Sequence, residues 1–406
     1  MQVETVTHKT CGEALYKLLR YCRGQSWAGY DPYDALNSPL ARAVGKSGKL
    51  GRTLMIQTLK RSPINLRPLL GIKKGLNPKA VALAARAVSL LANSNGASLN
   101  PSRMSPAGEL KQDFDFLIDS LARLRSDRYK EACWGYNFDW QSRAFFAPRG
   151  TPNVVCTAFA AHAYLDWFDA AQDERALETA RSSCRFLLDV LDRTESGEGH
   201  CFSYTPLDRA QVHNVNLLAA ELLARLYGID RRDEYFEAAR RAVVFTIARQ
   251  RADGSWPYGE SQSQRWVDSF HTGFIIVSLK NIIKYLGVNG WQSNLFRGYE
   301  FYRDRFFLAD FTPKYYHDKL HPVDIHSAAQ AVITFVEMKD LMPEASLKAT
   351  RAARWAIERM QDPAGFFYYQ RQRLYTIKIP YMRWGQAWML YALSLYYTRG
   401  PVTENV

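Results

Sequence analysis

The sequence is short of the patterns that announce a familiar chemistry. Its 406 residues contain no G-x-G-x-x-G, Walker loop, G-x-S-x-G or H-E-x-x-H. A dinucleotide fold, a phosphate loop, a nucleophile elbow and a helical zinc site are therefore all without support. No apolar run of about 18 residues is free of charge, which argues against a transmembrane helix. The opening MQVETVTHKTCGEALYKLLRYCR lacks the basic-then-apolar order of a secretory signal. Six cysteines fall at irregular spacings with no C-x-x-C pair, and read as reduced, mostly buried thiols. These absences predict a cytoplasmic protein, and 47% hydrophobic residues supply a sizeable core.

Acid is missing from one long stretch. Between Ala35 and Gly108 there is no Asp or Glu, while Arg42, Lys46, Lys49, Arg52, Lys60, Arg61, Arg67, Lys73, Lys74, Lys79, Arg86 and Arg103 all lie there. Most of the net charge of +13 is thus concentrated near the N-terminus. Such a patch suits an anionic partner. Residues 42–74 also mix Leu, Ile and Met with Lys and Arg, which fits peripheral contact with an anionic membrane; a solvated basic face is the plainer alternative. No nucleic-acid reader motif accompanies the charge, so no nucleic-acid partner is expected.

Strands are scarce, and from residue 110 onward helices alternate in two classes. Segments 154–168, 215–227, 270–286, 325–337 and 384–397 are apolar nearly all round, as buried helices are. Segments 175–192, 232–250, 291–308 and 344–361 are amphipathic. The buried class recurs at intervals of about 61, 55, 55 and 59 residues. With 109–125 as a sixth inner helix, the pattern predicts an all-α (α/α)6 toroid, a double ring of helical hairpins. On this reading residues 109–406 form the toroid, and 1–108 are a basic helical segment packing on the ring or completing it. An open solenoid is disfavoured because the last apolar helix is too hydrophobic to cap one.

The linkers repeat as well. In "DGSW" and "PAGFF" a glycine allows a left-handed turn and an aromatic follows to pack between hairpins. "QRADGSW" and "QDPAGFF" resemble the glutamine–tryptophan repeat of squalene cyclases and protein prenyltransferases. "WGYNFDWQSRAFFAPRGTPNVVCTAFAAHAYLD", "YDPYDALNSP" and "DSFHTGF" resemble a bacterial toroid family associated with exopolysaccharide and capsule biosynthesis. That resemblance implies the toroid and a glycan-related setting. The chain lacks the D-x-D-D and D-D-x-x-D motifs of isoprenoid enzymes.

The junctions before the inner helices carry the candidate chemistry. Asn153, Asn214, Ser269 and Asp324 fall in one column and are N-cap types. Two positions on stand His271 and His326, which capping does not require, with Asp268 just ahead of the first. Parallel inner helices would gather these groups, and six partial positive charges, at one mouth of the ring. Asp268, His271, Asp324 and His326 are therefore the candidate catalytic residues. Asp139, Trp140, Arg143, Tyr204, His213, Trp256, Tyr258, Arg383, Trp384, Asp31 and Asp34 are the candidates for binding, with Trp134, Tyr136, Tyr315 and Tyr316 in the same loops. Flat aromatic faces and arginine forks suit sugars and carboxylates. A wedge between hairpins is the plainer role for Trp134 and Trp256.

The expected function is a carbohydrate-active enzyme of polysaccharide biosynthesis, binding an acidic or lipid-linked oligo- or polysaccharide. With carboxylates it would hydrolyse; with histidine and tyrosine it would abstract a proton, as a lyase or epimerase does. An isoprenoid cyclase or transferase, and a non-catalytic glycan-binding assembly factor, are the alternatives. No metal or cofactor is expected.

Overall fold

A computed structural model describes residues 8–39, 48–94 and 107–400. Arg42, Lys46 and Arg103 of the acid-free stretch lie outside the described residues. Among the described residues thirteen α-helices follow in chain order: α1 (His8–Gly24), α2 (Gly48–Arg61), α3 (Pro78–Ala92), α4 (Ala107–Arg123), α5 (Val154–Ala171), α6 (Glu174–Arg185), α7 (His213–Asp230), α8 (Asp233–Ile247), α9 (Ser269–Leu286), α10 (Gln292–Arg305), α11 (Ile325–Met338), α12 (Ala345–Met360) and α13 (Ala387–Arg399). The few strands are ribbons in the linkers, such as β1 (Trp140–Gln141) with β2 (Phe146–Ala147), and β3 (Arg193–Ser196) with β4 (Gly199–Phe202).

Six helices form the inner ring. α3 packs on α5, α5 on α7, α7 on α9, α9 on α11, α11 on α13, and α13 returns to α3. Outside them α4 backs α3, α6 backs α5, α8 backs α7, α10 backs α9, α12 backs α11 and α1 backs α13. The toroid is therefore closed, because an apolar helix flanked on both sides leaves no raw face. No helix among the described residues is long and apolar enough to cross a membrane. All six cysteines are buried and unpaired.

One assignment from the sequence is reversed. Residues 109–125 were expected inside, but α4 is an outer helix with Glu109, Lys111 and Asp115 facing solvent. The sixth inner helix is α3, in which twelve of fifteen residues are buried. Its alanines let neighbouring helices approach closely, and that small-residue pattern carries less hydrophobic signal than the leucines of the other inner helices.

The linker aromatics explain the hairpin spacing. Trp134 donates from Nε1 to the Leu121 carbonyl at 2.8 Å, and Trp256 to the Thr246 carbonyl at 3.0 Å; both are fully buried. Trp256 fits because Gly298 lies beneath it, where a Cβ would come within 2.4 Å of the indole. Gly254 and Gly365 adopt φ of 88° and 100°, as the two turns require. Trp256 is thus a wedge and does not reach the site it was expected to line.

Candidate active site

All six inner helices begin at the same mouth of the ring, and a cleft of about 540 Å³ opens there. Four of them are capped by side chains. Asn77 accepts from the Lys79 N–H, Asn153 from Cys156, Asp268 from His271 and Asp324 from His326. Asn214 and Ser269, expected as caps, lie inside their helices; α7 is preceded by Val212, which offers no cap, and Asp268 takes the place assigned to Ser269. Asn214 instead lines the cleft.

His271 reaches the cleft from the first turn of α9, with about a fifth of its side chain exposed. Its Nδ1 is 2.7 Å from Asp268 Oδ2, while the same carboxylate accepts from the His271 N–H at 3.0 Å and from Trp266 Nε1 at 2.8 Å. A carboxylate at Nδ1 places the ring proton there and leaves the Nε2 lone pair free. His326 lies on α11, stacked between Phe270 at 4.6 Å and Trp388 at 4.7 Å. It lines the cleft, neither ring nitrogen has a protein partner, and burial holds it well below the usual histidine range, so its imidazole is neutral.

The acids stand behind the histidines. Asp268 and Asp324 are buried, and neither lines the cleft. Asp324 accepts from the His326 N–H at 2.7 Å, from Trp384 Nε1 at 3.0 Å and from Gln370, which β6 (Gln370–Arg371) brings alongside by pairing with β5 (Val323–Asp324). Burial raises Asp324 to about 6. These two carboxylates were expected to touch substrate; they position the helix starts and His271 instead.

The loop candidates divide. Trp140, Arg143, Tyr204, Tyr258, Arg383 and Trp384 all line the cleft, as do Tyr136, Tyr315 and Tyr316. Tyr258 stacks on Trp266 at 4.6 Å and lies 4.5 Å from the His271 ring; burial lifts its phenol well above 10, so it remains a donor. Asp139 does not reach the cleft, because it caps its own ribbon by accepting from the Arg149 N–H at 2.6 Å. His213 is buried behind the wall with Nε2 2.8 Å from Glu260. Asp31 holds Arg383 through two bonds of 2.5 and 2.8 Å, and Asp34 holds Arg67 at 2.6 Å. Both aspartates are braces without access to a ligand.

The acid-free stretch does not form a single basic face. Arg67 is buried, Lys60 and Arg61 line the cleft, and Lys79 stands at its floor. Arg86 faces a larger cavity of about 1070 Å³ at the opposite end of the ring. That cavity is the bigger of the two, but its buried charges answer one another: Arg86 and Arg225 meet Asp166 at 2.8 and 2.7 Å, and Lys280 meets Glu337 at 2.5 Å. The 540 Å³ cleft differs in kind. Its lining includes Lys60, Arg61, Lys79, Arg143 and Arg383, and no carboxylate. Lys79 was missed from sequence; a lone lysine in the alanine run of "NPKAVALAARAVSLLA" is the signal that points to it. Among the described residues no group of three or more His, Cys, Asp or Glu is placed to hold a metal ion.

No sequence-family model matches the chain, and no curated protein matches it. Its fold is that of several solved (α/α)6 proteins. It is similar to a cellobiose 2-epimerase from Bacillus thermoamylovorans, at 13% identity and a TM-score of 0.63, over 80% of this chain and 87% of that one. It is similar to a sugar epimerase from a ruminal bacterium, at 14% identity and a TM-score of 0.61, over 82% and 90%. A family 76 α-mannanase from Bacteroides thetaiotaomicron matches at 13% identity with a TM-score of 0.57, over 79% and 85%.

Proposed function

We propose that the protein is a carbohydrate-modifying enzyme that moves a proton on carbon, as sugar epimerases and lyases do. One observation carries the proposal: the cleft presents two imidazoles and lacks a carboxylate in its lining. Glycoside hydrolysis ordinarily needs two carboxyl groups flanking the scissile bond. Proton abstraction beside a carbonyl or carboxylate needs a base with a free lone pair, and the contact of Nδ1 with Asp268 places that lone pair at His271 Nε2. Tyr258, near His271, donates to the oxygen on which negative charge gathers. The imidazolium that His271 becomes gives the proton back to carbon, and return to the other face of the planar intermediate inverts the centre; His326, neutral and unpartnered, is left to hydrogen-bond the sugar beside it. The epimerases that share the fold agree with this chemistry, and the mannanases show that the same ring also serves hydrolysis.

The test is solvent exchange. With sugars and oligosaccharides incubated in deuterium oxide, deuterium should enter one ring C–H position, read by proton NMR. Release of new reducing ends without incorporation of deuterium overturns the reading in favour of hydrolysis.

The finer setting we propose is polysaccharide biosynthesis at a membrane surface, with a lipid-linked glycan as substrate. α2 supports it: Leu50 and Leu54 are 82% and 65% exposed, while Gln57, Lys60 and Arg61 of the same helix line the cleft. Residues 42–47 lie outside the described residues. The protein should sediment with vesicles containing phosphatidylserine at low salt and be released at high salt. Failure to sediment at low salt removes the membrane from the proposal.

A further inference from the structure

Lys79 occupies the second position of α3 and is 4% exposed. Its ammonium lies 4.8 Å from the ring centre of Trp388, 5.1 Å from Phe159 and 5.6 Å from Phe274, with no hydrogen-bond acceptor among the described residues. A buried lysine is ordinarily paired with an acid. Here the nearby acid is Asp31, and both its oxygens are engaged by Arg383. Aromatic faces favour a cation, but they do not neutralise it. With no carboxylate in the lining and the N-termini of the inner helices converging, the floor of the cleft carries positive charge at Lys79 that no described acid pairs with.

The ring of Phe274 ties this charge to the candidate catalytic groups. Its centre is 5.6 Å from Lys79 Nζ, 5.7 Å from the His326 ring and 6.1 Å from the His271 ring. Lys79 also acts electrostatically on His326, so a group bound to it shares the cleft with both imidazoles.

We propose that Lys79 is the anchor for an anionic group on the substrate, so that the sugar taken by this cleft is an acidic one. The proposal rests on the reading of the cleft as a proton-transfer site and names its substrate class. A carboxylate borne on the ring, as in a uronic acid, is the most compact fit. The ammonium neutralises it and so acidifies the adjoining C–H, which then faces the histidines. A sugar phosphate offers the same charge at a longer reach.

The anchor titrates near neutrality. Burial, reinforced by Arg383, lowers Lys79 to about 7, against the opposing influence of Cys156 and Asp31. The other groups around it keep their state: Arg383 is held charged, burial pushes the Cys156 thiol up to about 12, and His326 is neutral. Only protonated Lys79 holds an anion, so affinity is full below pH 7 and falls about tenfold per pH unit above it.

Isothermal titration of the full chain with glucuronate, galacturonate, glucose 6-phosphate and glucose tests this. Acidic sugars should bind at least tenfold more tightly than glucose at pH 6, and lose that advantage by pH 9. Lys79→Met, which keeps the packing against the rings, should abolish both the preference and its pH dependence without lowering the melting temperature. Lys79→Arg should restore the preference and keep it at pH 9. Tighter binding of uronates assigns the site to a carboxylate, and tighter binding of glucose 6-phosphate assigns it to a phosphate. Equal affinity of the wild type for glucose and all acidic sugars, or an unchanged preference in Lys79→Met, overturns the anchor. The two proposals fail separately: uronate binding without deuterium exchange sinks proton transfer, and exchange without preference for acidic sugars sinks the anchor.

Discussion

Replacing His271 by alanine should lower turnover by about 10²–10⁴-fold, the usual contribution of a positioned general base. It should scarcely alter thermal unfolding. The ring is partly exposed, and Asp268 keeps its bonds from the His271 N–H and from Trp266 when the imidazole is removed. Asp268→Asn is the sharper companion. Asparagine caps helices about as well as aspartate, so α9 keeps its start. Its amide, however, offers N–H groups where Nδ1 and the Trp266 indole both donate. The imidazole is driven to the tautomer whose Nε2 carries hydrogen, which cannot accept a proton. A similar loss of exchange with little change in sugar affinity is expected. If both variants exchange deuterium at the wild-type rate, His271 is not the base.

The second large effect concerns stability. Asp31→Asn removes the one acid among the described residues that is bonded to Arg383 and leaves a guanidinium buried among Tyr136, Phe138 and Trp384. Breaking a buried pair from one side costs about 3–5 kcal/mol. The same loop is tied a second time, since Arg67 donates to Asp34 at 2.6 Å, to the Tyr381 hydroxyl at 2.8 Å and to the Asp31 carbonyl at 2.8 Å. Urea unfolding should show the loss, and a double change with Arg383→Met should recover part of it by removing the uncompensated charge. A loss below about 1 kcal/mol for the single variant would mean that water or another donor set satisfies Arg383.

The ring was legible in the sequence because burial on all sides leaves a mark that survives without coordinates: α5, α7, α9, α11 and α13 contain few interruptions to their apolar runs. α3 escaped because alanines and two cations disguise it. The register of His271 with His326 was legible for the same periodic reason. The direction of the acids was not. A carboxylate at a helix start can face a ligand or turn back on its own backbone, and only the donors supplied by Trp266, Gln370 and Trp384 decide for the second. Asp31, Asp34 and His213 deceived in the same way, since their partners Arg383, Arg67 and Glu260 are distant in sequence or sit in an unpredicted turn. The basic stretch was visible as charge and invisible as geometry: its cations are shared among a cleft, a buried brace and the opposite cavity.

The seam between α3 and α13 bears on how the molecule is made. Lys79 is synthesised about 300 residues ahead of Trp388, one wall of its cage. Until that wall arrives, α4 and α5 can cover two sides of α3, but the face that meets α13 stays open. Activity is therefore the property of a finished circle, and a chain released early from translation should meet chaperones before it meets sugar.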